Sequence, residues 1–289
     1  MKIKEIKGVH TTEAASKWDD FQNIRNEYAL DDDRWLYRGQ DDYCWEIRST
    51  FERNRESSGK SDSWKYEATV VREFKRRAHL YLRNLPDDRD ILEWFSLLRH
   101  FGAPCRLVDV TYSFYVAIYF AIRSLGHKST PAAIWAFDTK WLKNQWNKLF
   151  PDETVESHRG GDFRFKEPDD FRKHFLNFNK TKLFVAPANP FRQNERLTAQ
   201  QGLFLCPGDI SKSFMENLIP NPTNSHEKNV IRIPIMSSIK PQAIQELRRM
   251  NISSATLFPD LGGFAESLSD WFTLDLPFND KDLLKALCI

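Results

Sequence analysis

The stretch that most constrains the fold of this chain is a short apolar strand, residues 35–37, that runs directly into Arg38, Gly39 and Gln40. An arginine delivered by a strand end, beside a glycine that lets another backbone or a ligand come close, suits an anchor for an anion or a nucleotide. The same pattern also occurs at turns where the arginine lies in water. The other strand ends decide between these two interpretations.

Two further predicted strand ends carry polar side chains. One strand is predicted to end at Thr111, and Ser113 can cap the helix that follows it. Another strand, predicted over residues 203–206, follows Gln200 and Gln201. If the three ends converge on one cleft, they supply an arginine fork for a pyrophosphate or ribose, hydroxyls at a helix start, and amides for sugar hydroxyls. The sequence therefore predicts a nucleotide site.

The spacing of apolar residues predicts the other elements. Further helices are predicted over residues 64–85, 89–101, 114–125, 139–149 and 241–250, and further strands over residues 132–137, 182–186 and 229–235. An extended piece is predicted over 45–51, a loop over 54–62, and a first helix capped by Thr11 or Thr12. Strands in short runs, with helices grouped in the first half and at the end, favour an α+β architecture over a doubly wound sheet.

The charge of the chain gives no overall electrostatic reason to bind nucleic acid or a membrane. Lys plus Arg total 42 and Asp plus Glu total 40, so the net charge is only +2. The helix predicted over 64–85 nevertheless has a basic side, formed by Arg72, Lys75, Arg76, Arg77 and Arg83. Such a face either keeps a helix in water or contacts nucleic acid.

The cysteines lie far apart in the sequence, at Cys44, Cys105, Cys206 and Cys288. Neither the spacing of a zinc site nor the density of a disulfide scaffold is present, so we expect reduced, mostly buried thiols in a cytoplasmic protein. The first residues lack the apolar core of a signal peptide, and no stretch approaches the about 20 apolar residues of a membrane span. No two histidines have metal-ligand spacing, so the default mechanism is metal-free.

The polar strand ends and their neighbours together resemble the FRG domain family, which is named for an aromatic-Arg-Gly motif and is found largely in bacteria and phages. The residues that carry this resemblance are 37–40, 100–111, Ala117, 119–121, 196–204 and 257–260. The likeness runs from about Trp35 to about Leu268. It implies a single FRG-type domain over residues 1–289 with its core at about 34–268. The stretch 151–180 is highly charged, has Gly and Pro punctuation and shows no firm periodicity, which indicates a surface insertion or a lid.

A remoter resemblance, to mono-ADP-ribosyltransferases of the Arg-Ser-Glu type, rests on three elements in the same order. Arg38 is similar to the first, Thr111 and Ser113 to the second, and residues 200–207 to the third. This resemblance implies an ADP-ribosyltransferase-like split antiparallel β core flanked by helices. It also implies NAD as the substrate, bound without a metal.

The third element departs from the pattern of that family. There, a final glutamate stabilises the oxocarbenium-like transition state as nicotinamide leaves, whereas this chain has Gln201 or Gly202 at the corresponding place. Glu195 or Asp109 could substitute for that glutamate if the fold brings either one into the cleft. Alternatively, Asp109 pairs with Arg106 or caps a helix.

The two resemblances imply a protein that binds NAD and transfers ADP-ribose to a protein or nucleic-acid acceptor, as a bacterial toxin, a phage effector or a defence component. The expected catalytic residues are Arg38, Thr111, Gln201, Glu195 and Asp109. The expected cofactor-binding residues are Tyr37, Arg38, Gly39, Gln40, Arg106, Thr111, Ser113, Gln200 and Gln201. The competing hypothesis is a module that binds a nucleotide or nucleic acid and catalyses nothing.

Overall fold

A single mixed sheet runs through the computed structural model, which describes residues 5–30, 34–123, 130–151, 156–158, 162–164, 168–177, 181–220 and 228–269. The strands are β1 (His10–Thr11), β2 (Trp35–Gln40), β3 (Val108–Thr111), β4 (Ala132–Asp138), β5 (Glu156–His158), β6 (Asp162–Arg164), β7 (Val185–Ala188), β8 (Gly202–Pro207) and β9 (Val230–Ile235). Their order is β1-β9-β4-β2-β3-β8-β7-β6-β5. The short strands β5 and β6 thus extend an open sheet of seven strands at one edge.

The sheet is mostly antiparallel, which agrees with the α+β prediction. Among the strands of the described residues, only the pairs β1 with β9 and β6 with β7 are parallel. The helices are α1 (Trp18–Glu27), α2 (Thr50–Ser58), α3 (Ser63–Ala78), α4 (Ile91–His100), α5 (Phe114–Ile122), α6 (Thr139–Leu149), α7 (Pro168–Phe175), α8 (Glu195–Ala199), α9 (Phe214–Leu218), α10 (Lys240–Arg249), α11 (Ser254–Leu257) and α12 (Leu261–Ser267). Helices flank the sheet instead of alternating regularly with its strands.

The two faces of the central strands pack against different helices, because side chains of a strand point alternately to opposite faces. Trp35 and Tyr37 of β2 join an apolar cluster formed with α1, α5 and α10. Leu36 points the other way, into a second cluster with residues of α6 and α9. Strand β2 is therefore covered on both sides.

Gly39 allows α5 to lie directly on β2. A Cβ atom at this position would stand 2.1 Å from the backbone oxygen of Ala117 and 2.4 Å from the backbone nitrogen of Ala121. Real Cβ atoms do not approach backbone that closely, so only glycine fits here. The sequence predicted that this glycine lets either another backbone or a ligand come close. In the structure, the backbone of α5 comes close.

The predictions for residues 45–62 and for the start of the first helix were wrong, and the helix predicted over residues 64–85 ends at Ala78. Residues 50–58 form α2, where the sequence predicted an extended piece and a loop; the Oγ of Ser49 accepts a hydrogen bond from the backbone N–H of Glu52, and Gly59 ends the helix with a φ of 64°. Helix α1 begins at Trp18, because the chain at Thr11 is still paired with β9.

The charged stretch 151–180 contains buried aromatic residues. Phe171 and Phe175 of α7 join a third apolar cluster, together with Phe95 of α4 and Phe184. Much of the stretch lies outside the described residues, as does Cys288. The insertion or lid therefore stays a prediction.

We expect Gly39→Ala to lower the free energy of unfolding by about 3 kcal/mol, because the added methyl group forces α5 away from β2. The measurement is urea denaturation. Gly59→Ala is the matched control: nothing lies within 4 Å of its Cβ position, so it should cost only about 1 kcal/mol for the left-handed backbone. Equal losses in the two variants would contradict the packing argument.

Candidate functional site

A cavity of about 880 Å³ lies where β2 and β3 part. Strand β2 pairs with β4 along all six of its residues, but with β3 only through Tyr37 and Thr111. Beyond that pair the two strands are no longer joined. The end of β2 and residues 109–111 of β3 line the cavity.

The cavity is rich in arginine. Six arginines line it, namely Arg38, Arg48, Arg53, Arg99, Arg123 and Arg196. Four carboxylates also line it, namely Asp41, Glu46, Asp109 and Glu266, so the described lining residues have an excess of two positive charges. A concave site with this excess attracts anions.

Arg38 lines the cavity, and its guanidinium makes one hydrogen bond and one longer ion pair to Asp109. Its Nη1 donates a hydrogen bond to the backbone oxygen of Asp109 at 2.6 Å. Its Nε is buried and has no hydrogen-bond partner among the described residues. Burial lowers the pKa of Arg38 to about 10, so the side chain is still a cation at neutral pH. A buried donor without a partner costs free energy unless a ligand satisfies it.

Asp109 forms its carboxylate ion pair with Arg99. The Nε of Arg99 donates to Oδ2 of Asp109 at 2.7 Å, and Nη2 of the same guanidinium contacts the same oxygen. Burial alone would raise the pKa of Asp109, but the charges of Arg99 and Arg38 outweigh burial and hold it below the usual value. Asp109 is therefore ionised at neutral pH.

Arg53 and Arg196 supply charge without an ion-pair partner in the part of the chain that the structure describes. Burial lowers the pKa of both. Arg196 lies over the ring of Phe258 at 4.6 Å, and Arg123 lies over the same ring at 4.6 Å. Arg123 is neutralised by two hydrogen bonds to Glu266, at 2.7 and 2.6 Å. Arg53 and Arg196 are thus the lining arginines without an ion pair among the described residues, and Arg38 has only the 3.9 Å contact with the Asp109 carboxylate.

An aromatic surface faces the same cavity. Trp45 lines the cavity and remains 50% exposed, which is unusual for a tryptophan. Phe120 of α5 also lines it. Such rings can stack on a planar ligand group, and the arginines beside them can hold an anionic group of the same ligand.

The structure brings most of the predicted site residues together. Lining the cavity are Tyr37, Arg38, Gly39, Gln40, Asp109, Thr111 and Gln200. The Tyr37 side chain is buried, and its hydroxyl donates to the backbone oxygen of Leu30, so its ring packs in the core. The amide oxygen of Gln40 accepts a hydrogen bond from the Trp135 indole at 2.7 Å.

Thr111 and Gln200 hold the corner of the cavity in place. The hydroxyl of Thr111 donates to the backbone oxygen of Gln200 at 2.7 Å and accepts from the backbone N–H of Ser113 at 3.0 Å. The side-chain amide of Gln200 donates to the backbone oxygen of Leu257 at 3.0 Å. Both side chains are buried and therefore act mainly as supports.

Four predicted residues lie outside the cavity lining, namely Ser113, Gln201, Glu195 and Arg106. Ser113 caps α5, its Oγ accepting from the backbone N–H of Val116. Gln201 is exposed and adopts a φ of 46°, a left-handed turn conformation. Glu195 is exposed in the first turn of α8. The third predicted element thus contributes Gln200, but neither Gln201 nor Glu195.

Arg106 lies in the protein interior and has a structural role. It is fully buried and forms a two-point ion pair with Glu67 of α3, with 2.6 Å between Nε and Oε1. Its Nη1 donates to the backbone oxygen of Phe175 at 2.7 Å. Arg106 does not line the cavity and does not pair with Asp109, so its predicted role in cofactor binding gains no support.

The sequence interpretation missed several lining residues. Arg48 lies just before α2, and Arg53 lies within it. The sequence predicted an extended piece and a loop in this region. The helix-capping pattern from Ser49 to Gly59 is the signal that could have revealed this helix. Arg99 and Glu266 lie on helices, and no strand-end motif points to them.

The basic side of α3 is separate from the cavity. Glu73 forms ion pairs with Arg72, Arg76 and Arg77, which are all largely exposed. Lys75 pairs with Asp88. This arrangement favours a solvated helix face over a nucleic-acid contact.

Metal and membrane features are absent from the described residues. Their His, Cys, Asp and Glu side chains form no group of three or more that could hold a metal ion. None of the helices described here has the length and apolar character that crossing a bilayer requires.

Comparison with known proteins identifies one family. Residues 33–130 match the family model described as the FRG domain. The match includes Arg38, Arg53, Arg99, Asp109 and Thr111 of the cavity. No curated protein and no solved structure matches the chain.

Proposed function

We propose that this chain, whose residues 33–130 match the FRG domain model, is an ADP-ribosyltransferase-like protein that binds NAD in the cavity between β2 and β3. The observation that carries the proposal is the position of Arg38 in a cavity with an excess of two positive charges: its Nε has no hydrogen-bond partner among the described residues, and its Nη1 lies 3.9 Å from the Asp109 carboxylate. Each phosphate of the NAD pyrophosphate carries one negative charge at neutral pH. The charges of ligand and cavity therefore match.

The cavity also has a surface for the rings of a dinucleotide. Trp45 is half exposed beside the arginines, so a base or the nicotinamide ring can stack on its indole while the phosphates contact Arg38. The volume of about 880 Å³ suits a ligand of this size. A small anion has no ring that could stack on this aromatic surface.

The arrangement of strands supports the hypothesis of an ADP-ribosyltransferase-like protein. Arg38 lies on β2, Thr111 at the end of β3, and Gln200 beside the start of β8, in the order that the resemblance implies. All three line one cavity. The parting of β2 from β3 suits a split antiparallel core, whose cleft would be the NAD site.

In the proposed transfer, the bond between C1′ of the ribose and the nicotinamide nitrogen breaks, and its electron pair leaves with nicotinamide. A nucleophile of the protein or nucleic-acid acceptor bonds to C1′ and loses its proton. An ionised Asp109 would stabilise the positive charge that develops on the ribose. Arg38 would hold the phosphates, and Thr111 and Gln200 would support the corner of the cleft.

A second candidate function is a nucleotide-binding module that catalyses nothing. Gln201 and Glu195 lie outside the cavity lining, and Asp109 is already paired with Arg99. A carboxylate neutralised in this way gives less stabilisation to a developing cation. Binding and transfer therefore need separate tests.

We expect calorimetry to detect NAD binding by the wild type, and Arg38→Gln to weaken it by about tenfold to a hundredfold, because charge-assisted hydrogen bonds to the phosphates are lost. Arg72→Gln is the matched control, since Arg72 is exposed on α3 outside the cavity. An affinity for NAD unchanged by Arg38→Gln would contradict the proposed site.

The stacking role of Trp45 predicts a selective loss. Trp45→Ala should weaken NAD binding by about threefold to tenfold. The same variant should bind inorganic pyrophosphate as the wild type does, because pyrophosphate has no ring to stack. Equal effects on both ligands would show that Trp45 shapes the cavity and does not stack on the base.

Transfer is tested by incubating the protein with labelled NAD and a cell lysate, and measuring nicotinamide release and labelling of macromolecules. We expect both in the wild type, and a loss of about a hundredfold in rate for Asp109→Asn with NAD binding retained. If NAD binds but neither product forms, the chain is the non-catalytic module.

A further inference from the structure

Asp109 meets two arginines of the cavity through different atoms. The carboxylate oxygen Oδ2 accepts two contacts from the Arg99 guanidinium, one of them at 2.7 Å. Arg38 instead donates to the backbone oxygen of Asp109 at 2.6 Å. The distance between Nη1 of Arg38 and Oδ2 is 3.9 Å, too long for a hydrogen bond.

We propose that Arg99 is a positioning residue that keeps Arg38 available for the phosphates of the ligand. Arg99 forms a close ion pair with the carboxylate of Asp109. This pair prevents the carboxylate from accepting a hydrogen bond from Arg38. The proposal deepens the proposed function, since it rests on anion binding by Arg38 in the same cavity. It assigns a role to an arginine that the sequence motifs did not single out.

The charges explain why the carboxylate needs this partner. A half-buried carboxylate without an ion pair takes the nearest cation, and arginine binds it with a planar fork. Apart from Arg99, Arg38 is the cation that ion-pairs most closely with Asp109, so a small rotation of its side chain would close the 3.9 Å gap. The Asp109 carboxylate would then neutralise Arg38, which would no longer bind a phosphate.

The hydrogen bond that Arg38 makes now goes to a neutral group, and its charge is only partly balanced by the Asp109 carboxylate at 3.9 Å. A backbone carbonyl accepts a hydrogen bond but carries no net charge, so it orients the guanidinium without neutralising it. Burial lowers the pKa of Arg38, whereas the pairing with Asp109 raises the pKa of Arg99 above its usual value. The two arginines beside one carboxylate are thus unequal, and Arg38 is the one left for a ligand.

Direct contact between Arg99 and the ligand is the rival explanation, because Arg99 also lines the cavity. The two explanations differ when Asp109 is neutral. If Arg99 acts by occupying the carboxylate, its loss is harmless once the carboxylate is gone. If Arg99 binds the phosphate itself, its loss weakens binding whatever stands at position 109.

The test uses calorimetry of the full chain with inorganic pyrophosphate. We expect Arg99→Gln to weaken binding by about tenfold or more, as expected for loss of a charged hydrogen-bond donor. We expect the double variant Arg99→Gln with Asp109→Asn to return to within about threefold of the wild type. A double variant as weak as Arg99→Gln, or a wild type that does not bind pyrophosphate, would overturn the proposal.

A second variant covers the case in which Arg99→Gln does not fold, which urea denaturation would detect. Arg99→Lys still supplies a cation to the carboxylate, so pyrophosphate affinity should stay within about threefold of the wild type. A loss of about tenfold or more in this folded variant would count against the proposal. Failure of the proposed function is distinguishable, because a protein that binds pyrophosphate but not NAD would refute the NAD site and leave the role of Arg99 standing.

Discussion

The separation of β2 from β3 is the constraint on which the candidate site depends. Strand β2 is fixed by its six pairs with β4 and by the direct contact of α5 at Gly39. Strand β3 is fixed by four pairs with β8. Each strand is therefore held by a partner on its far side, while the edges that the two strands turn toward each other are paired only at Tyr37 and Thr111. Arg38 lines the cavity because it lies just past this shared pair.

The electrostatics of the cavity oppose the stability of the folded chain on its own. Burial lowers the pKa of Arg38, Arg53 and Arg196, which means that the charged form of each side chain is less stable in the fold than in water. Elsewhere the fold neutralises buried charge, as in the pair between Arg106 and Glu67. An anion in the cavity would relieve the first three arginines, so binding and folding are linked.

Much of the fold could be predicted from the sequence, because local signals determine it. Capping residues, glycines at helix ends and apolar runs marked α4, α5, α6, β2, β4 and β9 within a few residues. The failure at α2 arose where Ser49 and Gly59 bracket a polar helix whose apolar face is short. Propensity and periodicity are weak there, and only the caps identify the helix.

The site was predictable only where it follows strand ends. Arg38, Asp109 and Thr111 were found in this way, and they line one cavity. Arg106 lies just before β3 and was also predicted to bind the cofactor, yet it is paired with Glu67, which lies 39 residues earlier in the chain. No local pattern distinguishes an arginine with such a distant partner from one without, so tertiary structure decides which arginine is free.

The order of the strands bears on how the family-matched stretch should be understood. Residues 33–130 contain β2 and β3, but their main partners, β4 and β8, lie later in the chain. A fragment cut to that stretch would hold its two strands together through one paired position and would expose the other edge of each. The FRG-matched segment is thus the centre of a larger folding unit and has no independent sheet of its own.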